Sequence, residues 1–273
     1  MIRRPWNEDK WLLVTMEEHA RVASLIAAAW VGPNGKLPEE VLLAVARHES
    51  GWRDEDSSPR INAEGAPLAY QEIDVAQSFG PWRRSVRLLL DDKRFYAARL
   101  SAMFYSEQAR ASVNLVKSSP RTVAALGQFL GEMKMIARRT EELAREETRP
   151  EFSRAIDERD LMKFAQAPGQ SVAAHLRFMQ VCHELALLLC GPFQGELDIP
   201  NVPFLAEGDT LHVSRLGDKV GLTVSPLPFR KNLRDHLSAV IIPRRLYKSD
   251  EELRLTIGEV SNKTIEFHIG SPQ

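Results

Sequence analysis

His48-Glu49-Ser50-Gly51-Trp52 decides how the rest of this chain is read. Val41, Val45 and His48 recur at helical spacing, so the stretch closes an amphipathic helix with its imidazole on the apolar side, and Gly51 stops it. Pro38 suits the first position of that helix, after a break at Gly32-Pro33-Asn34-Gly35. The helix before it repeats the arrangement. Thr15-Met16-Glu17-Glu18 is a capping-box pattern, and His19, Val22, Ala23, Ile26 and Trp30 then form one stripe. Two imidazoles on inward faces, one followed directly by a carboxylate, are the donor types of a buried metal site.

Further from this centre the pattern is mixed. Residues 1–14 read as a short strand or hairpin ending in Trp11-Leu12-Leu13-Val14. Residues 53–80 are acidic and broken by Pro59, Gly65, Pro67 and Gly80, and read as a long loop. Helices are expected over about 81–91, 95–113, 121–147 and 171–190, and the arginine- and glutamate-dense residues 138–160 read as a solvated helix end and loop. The apolar period then drops to two. Leu211 and Val213 alternate before a turn at Gly217-Asp218, and Val220, Leu222 and Val224 alternate after it, as in a hairpin. A strand over about 237–242, a short helix opened by the capping box from Ser249 to Glu252, and a last strand carrying Ile265, Phe267 and Ile269 complete the chain. The fold expected is α+β and predominantly α. A helical domain covers residues 1–194, including the N-terminal strand 1–14, and a small β-rich C-terminal subdomain, residues 195–273, is joined by that strand.

Composition narrows the classes of function. Lysine and arginine number 36 against 37 aspartates and glutamates, so no excess charge favours nucleic acid or an anionic membrane. The N-terminus has no apolar signal core, and the longest apolar run, Leu185 to Cys190, is too short to span a bilayer. Cys182 and Cys190 share a helix with ~12 Å of rise between them, beyond the ~7 Å over which a disulfide bridges alpha carbons. Two reduced core thiols suit a cytoplasmic protein. There is no Walker loop, GxGxxG, GxSxG or CxxC, which removes the sequence support for phosphate cradling and for serine or dithiol chemistry.

A third imidazole, His183, shares a helix side with Leu176, Met179, Leu187 and Cys190. A neutral ring there needs a partner for each nitrogen, which a metal, a carbonyl or a hydroxyl can supply. His175, His212, His236 and His268 lack comparable surroundings. Arg83 and Arg84, after Trp82, would meet an anionic substrate if their helix bordered the site; otherwise they are surface charges with packed stems.

His19-Ala20, His48-Glu49-Ser50-Gly51-Trp52, Pro59, Gly65-Ala66-Pro67, Tyr70, Trp82-Arg83-Arg84, Tyr96-Ala97-Ala98, Leu187-Leu188-Leu189-Cys190 and Pro226-Leu227-Pro228-Phe229 together carry a resemblance over nearly the whole chain. The chain resembles an uncharacterised bacterial domain-of-unknown-function family, family 3891, which in turn resembles the HD superfamily of helical metal-dependent proteins. That resemblance implies an HD-like helical domain, and histidine and His-Asp ligands serving phosphohydrolysis or, less often, oxygenation. Three departures stand out: Glu49 replaces the aspartate of His-Asp-x-Gly-Trp, Phe104 stands where a further helix would offer histidine, and His183 stands where the closing aspartate is expected.

The expectation is therefore an HD-like metal-binding protein acting as a mononuclear, phosphohydrolase-like hydrolase. His19, His48, Glu49 and His183 would hold one divalent ion, Zn, Fe or Mn, with Co and Ni also suiting such a donor set. Glu49 is the fourth ligand or the catalytic base, Trp52 an apolar wall, and Trp52, Arg83 and Arg84 contact a small, anionic substrate. A different class of reading is a metal-free, degenerate HD-like scaffold in which His19 and His48 bond to Glu49, Asp54 or Asp56; an iron-dependent oxygenase is a third. No nucleic acid or membrane partner is expected, and the oligomeric state is left open.

Overall fold

The computed structural model describes residues 1–31, 37–115, 119–147, 171–216 and 220–272. The break expected at Gly32-Gly35, the turn at Gly217-Asp218 and residues 148–160 of the charged stretch lie outside the described residues. Strands β1 (Ile2–Asn7) and β2 (Lys10–Val14) form an antiparallel hairpin. Thr15 then caps α1 (Met16–Ala29), its hydroxyl accepting from the Glu18 N–H at 3.1 Å, as the capping box required. Helix α2 (Glu39–Arg47) follows, then a 3-10 turn over Ser50–Trp52 and the short α3 (Arg53–Ser57). Next come α4 (Val75–Asp91), α5 (Phe95–Leu115), α6 (Pro120–Glu147) and α7 (Val172–Cys190). The C-terminal part contains β3 (Glu196–Ile199), β4 (Leu211–Arg215), β5 (Gly221–Ser225), β6 (Leu233–Pro243), α8 (Asp250–Gly258) and β7 (Lys263–Gly270).

The expected architecture, an HD-like helical domain with a small β-rich C-terminal subdomain, is overturned by the sheet. All seven strands belong to one mixed sheet of order β1-β2-β6-β7-β5-β4-β3. Leu12 of β2 lies opposite Ile241 of β6, Leu237 of β6 opposite Ile265 of β7, and β5 runs parallel to β7 with Leu222 opposite Ile269. The main apolar core continues from Ile2 and Val14 through Ala23, Val45, Phe104 and Leu185 to Leu222, Leu237 and Ile269, and Leu13, Ile242, Tyr247 and Leu253 form a smaller second cluster. The β-elements are thus one wall of the main core. Alternation shows that a strand exists, but its partner lies more than two hundred residues away in the β2–β6 pair, and no local pattern encodes that.

Residues 53–80 also hold more structure than a loop. Besides α3 they carry a 3-10 turn over Tyr70–Glu72 and the start of α4, which Asp74 caps by accepting from the Ala76 N–H at 2.8 Å. Gly80 reads as a breaker before a helix at about 81–91, yet both Gly80 and Pro81 lie inside α4. Phe79 and Trp82 on either side are buried against Phe129, and this packing holds the helix through the proline.

Helices α1, α2, α5 and α7 pack on one another, α4 against α5 and the 3-10 turn, and α6 along α5. By length and composition α7 could cross a membrane, but 56% of its apolar window is buried inside the molecule. Phe178, Val181, Cys182, Leu185, Ala186 and Leu189 of α7 are fully buried, and each of the larger ones contributes about 2 kcal/mol through removal from water. This burial sets the rotation of α7, and with it the direction of His183.

Candidate metal centre

Three of the four central helices each bring one imidazole to the same point. His19 is fully buried on the inward stripe of α1. His48 is the C-cap of α2, where the last carbonyls of a helix have no partner in the helix itself. Its Nδ1 lies 2.6 Å from the Val45 carbonyl oxygen. A carbonyl only accepts, so Nδ1 carries the proton and donates, leaving Nε2 with a free lone pair. Glu49 leaves the helix at φ −114°, ψ 13°, which returns its carboxylate to the same side. The turn that does this rests on α4. The Gly51 N–H donates to Ser85 Oγ at 2.9 Å, and a Cβ on Gly51 would meet the Pro81 carbonyl oxygen at 2.0 Å. Only glycine lets the backbone come so close.

His183 closes the cluster. Its Nδ1 is 3.0 Å from His19 Nε2 and 2.9 Å from His48 Nε2. Glu49 Oε1 is 3.7 Å from His48 Nε2 and 3.8 Å from His183 Nδ1. One donor atom from each of the four residues lies within 4.8 Å of every other. Metal–nitrogen bonds of ~2.0–2.1 Å place neighbouring donors roughly 2.9–3.4 Å apart, so the imidazole spacing suits one ion. His183 Nε2 and Glu49 Oε2 are buried without a hydrogen-bond partner. The Trp52 indole N–H faces the Glu49 carboxylate, and His19 Nδ1 the Ala186 carbonyl, both short of hydrogen-bond geometry.

Burial sets the protonation of the cluster. It lowers the His48 pKa to about 4 and drives His19 and His183 well below the ordinary histidine value, the neighbouring imidazoles adding to the effect. All three rings are neutral at neutral pH, the form that ligates metal. Burial also raises Glu49 well above the usual carboxylate range, and the negative charge of Asp56 adds to it. A cation at the centre would reverse that pressure and ionise Glu49.

Two spaces adjoin the cluster. An inner cavity of about 60 Å³ is bounded by Glu49, His183, Trp52, Trp82, Phe104 and Tyr70, among others. It has room for a few waters or one small group. A vestibule of about 460 Å³ lies between α5 and α7 and shares Tyr70, Gln108 and His183 with the inner cavity. Phe104 stands on α5, the fourth central helix, with ring centroids 5.7 Å from His48 and 5.1 Å from His183. It walls the site and cannot ligate.

His19, His48, Glu49 and His183 thus come together, and Trp52 lines the inner cavity with Glu49 and His183. Arg83 and Arg84 do not line it. Arg83 pairs with Glu132 and lies over Phe129, while Arg84 bonds the Gly51 carbonyl at 2.9 Å and pairs with Glu55. Arg84 also borders a separate groove of about 1030 Å³, where Arg21, Arg47 and Arg53 are balanced by Glu17, Glu18, Asp54 and Asp92. The carboxylate of Asp56 accepts from the Met16 N–H at 2.6 Å instead of bonding a histidine. Sequence reasoning missed Tyr70 and Gln108 as lining residues. Tyr70 sits in a segment read as loop, and Gln108 on a helix face with no distinctive period.

With this geometry in place, the comparison with known families becomes informative. The protein-of-unknown-function family DUF3891 matches residues 1–244. The chain belongs to that family. The match contains the whole cluster and both cavities, and stops before α8 and before β7, the strand that links β6 to β5. No curated protein and no solved structure matches the chain.

Proposed function

We propose that this protein is a mononuclear metal-dependent hydrolase of small polar molecules. The observation that carries the reading is the convergence of His19 Nε2, His48 Nε2 and His183 Nδ1, with Glu49, on one buried point. His19, His48, His183 and Glu49 would hold a divalent ion, zinc, iron or manganese, whose chemistry when bound would be to acidify a water and polarise a phosphoryl or acyl group. The chain's own residues would do the rest. The carbonyl of Val45 fixes the tautomer of His48, so its ligating nitrogen is ready without rearrangement. Glu49 holds one oxygen toward the imidazoles and keeps the other unpartnered, free to take a proton from the attacking water. Trp52, Trp82 and Phe104 exclude bulk water, which strengthens electrostatic interactions at the centre. Among the described residues one such group of donors is present, which favours one ion over two.

A metal-free core is the second reading, and the hydrogen-bond length of both His–His contacts favours it. It is the weaker one, because a single proton on His183 Nδ1 serves only one of the two Nε2 lone pairs. The test uses the full chain loaded with zinc, manganese or iron, assayed against carboxylic esters, amides and phosphate mono- and diesters, with Glu49→Gln in parallel. Turnover that falls about 100-fold in Glu49→Gln while metal is retained supports the proposal. A fully loaded chain with no turnover on any class contradicts it.

A further inference from the structure

The vestibule outside the cluster has a charge character of its own. Its ionisable lining is Glu107, Glu184 and Arg177, beside the imidazole of His183. The Arg177 guanidinium is committed to backbone, donating to the Pro200 carbonyl at 2.6 Å and the Asn201 carbonyl at 3.3 Å. Glu107 accepts from the Gln180 amide, a bond that ties α5 to α7 across the opening. Glu184 is half-buried next to His183 and makes no hydrogen bond among the described residues. Arg83 and Arg84, the cations that the sequence offered to an anionic substrate, are engaged elsewhere. Two carboxylates therefore face the vestibule against one guanidinium, whose positive charge reaches Glu184, so the carboxylates outnumber the cation.

An independent feature shows that this space leads somewhere. The ring of His183 is about nineteen-twentieths buried and lines both the vestibule and the inner cavity. Its Nδ1 is turned to the other imidazoles, and its Nε2 has no partner. A buried N–H or lone pair left open toward a cavity is satisfied when a ligand or water enters. Tyr70 and Gln108 stand at the junction between the two spaces. The inner cavity admits one small group, and the vestibule, which shares three lining residues with it, offers the adjoining space for the remainder of a substrate.

We infer that the vestibule selects small molecules carrying an ammonium or similar cationic group, held by Glu184 while an oxygen-bearing end reaches the His19–His48–Glu49–His183 cluster. The inference rests on the metal-centre reading above and gives it a substrate class. A dianionic phosphate monoester would lie against the same carboxylates and be disfavoured by like-charge repulsion.

The experiment titrates the full chain, loaded with cobalt(II), with three hydroxamates matched in length: 4-aminobutyro-, butyro- and succinic monohydroxamate. Each offers the metal the same chelating end, and they differ in the charge at the other. The cobalt absorption band reports binding without any turnover. The expected order is ammonium, then neutral, then carboxylate, with about tenfold between the first and last. In Glu184→Gln, which leaves the four cluster residues untouched, the spread falls to within about threefold. Equal affinities, a reversed order, binding of none of the three to a loaded chain, or an unchanged spread in Glu184→Gln each overturn the inference. Failure of the chain to take up cobalt at all would instead overturn the metal centre.

Discussion

His175 and His183 stand on the same helix, both almost fully buried, both with pKa values lowered by burial, and only His183 joins the candidate metal cluster. His175 Nδ1 meets the Tyr96 hydroxyl at 2.7 Å, and its ring lies beside Phe204. It belongs to no group of three or more ligating side chains among the described residues. His183 meets two imidazoles and a carboxylate contributed by α1 and the end of α2, and borders two cavities. Burial and a shifted pKa therefore do not distinguish the cluster histidine from the other. Donors arriving from separate elements do, and ordering several desolvated lone pairs around one point costs stability that a bound cation would offset.

The two regions should respond differently to the same perturbations. The largest effect is expected at Gly51, whose contact with α4 sets the His48-Glu49 turn and has no counterpart near His175. Gly51→Ala would drive its Cβ to 2.0 Å from a backbone oxygen, so a loss above about 3 kcal/mol in chemical denaturation, with loss of metal binding, is expected. A variant of wild-type stability would show that the turn adapts easily.

Acid should come next. The His48 pKa of about 4 lies below its ordinary value of 6.5, so the unfolded chain binds protons that the folded chain refuses as pH falls between these values. Metal-free protein should lose stability over that window, on the order of 3 kcal/mol from His48 alone. His19, His183 and His175 act in the same direction, while Glu49, Asp56 and Glu184, raised above their ordinary values by burial, act oppositely. Denaturant midpoints that rise from pH 7 to pH 5 would contradict this balance.

Removing metal with a chelator should lower the melting temperature of wild-type protein by roughly 5–10 °C, the effect of about 2–3 kcal/mol on a chain of this length. The His183→Leu variant should show no shift with chelator, and a shift of equal size there would place the metal elsewhere. The smallest effect belongs to the second region. Tyr96→Phe removes the hydroxyl bonded to His175 and should cost about 1 kcal/mol with metal content unchanged, so a change in metal content would tie the two regions together.

Local chemistry made much of this legible in advance. The caps at Thr15 and Ser249 act as their sequences imply, and the β4–β5 pair aligns Val213 with Val224. His19, His48 and Glu49 could be found from helical faces and adjacency, whereas the stripe of His183 only turned it inward with a carbonyl or hydroxyl as an equal partner, and the family resemblance placed it in the set. The unity of the sheet could not, since β2–β6 and β5–β7 pair residues that share no local pattern. Strand β3 was missed because Glu196, Leu197 and Asp198 give only a partial alternation. The vestibule was likewise hidden, because it exists only where α5 and α7 face each other across Gln108 and Gln180.

Metal content of untagged protein, purified without chelator and measured by mass spectrometry, tests the central claim most directly. Wild-type chain, His48→Ala and His175→Leu should be compared after incubation with zinc, manganese or iron and removal of excess. The account predicts close to one ion per chain in wild type and in His175→Leu, and less than about a tenth of that in a folded His48→Ala. Equal metal in wild type and His48→Ala, or none in any of the three after reconstitution, would contradict it.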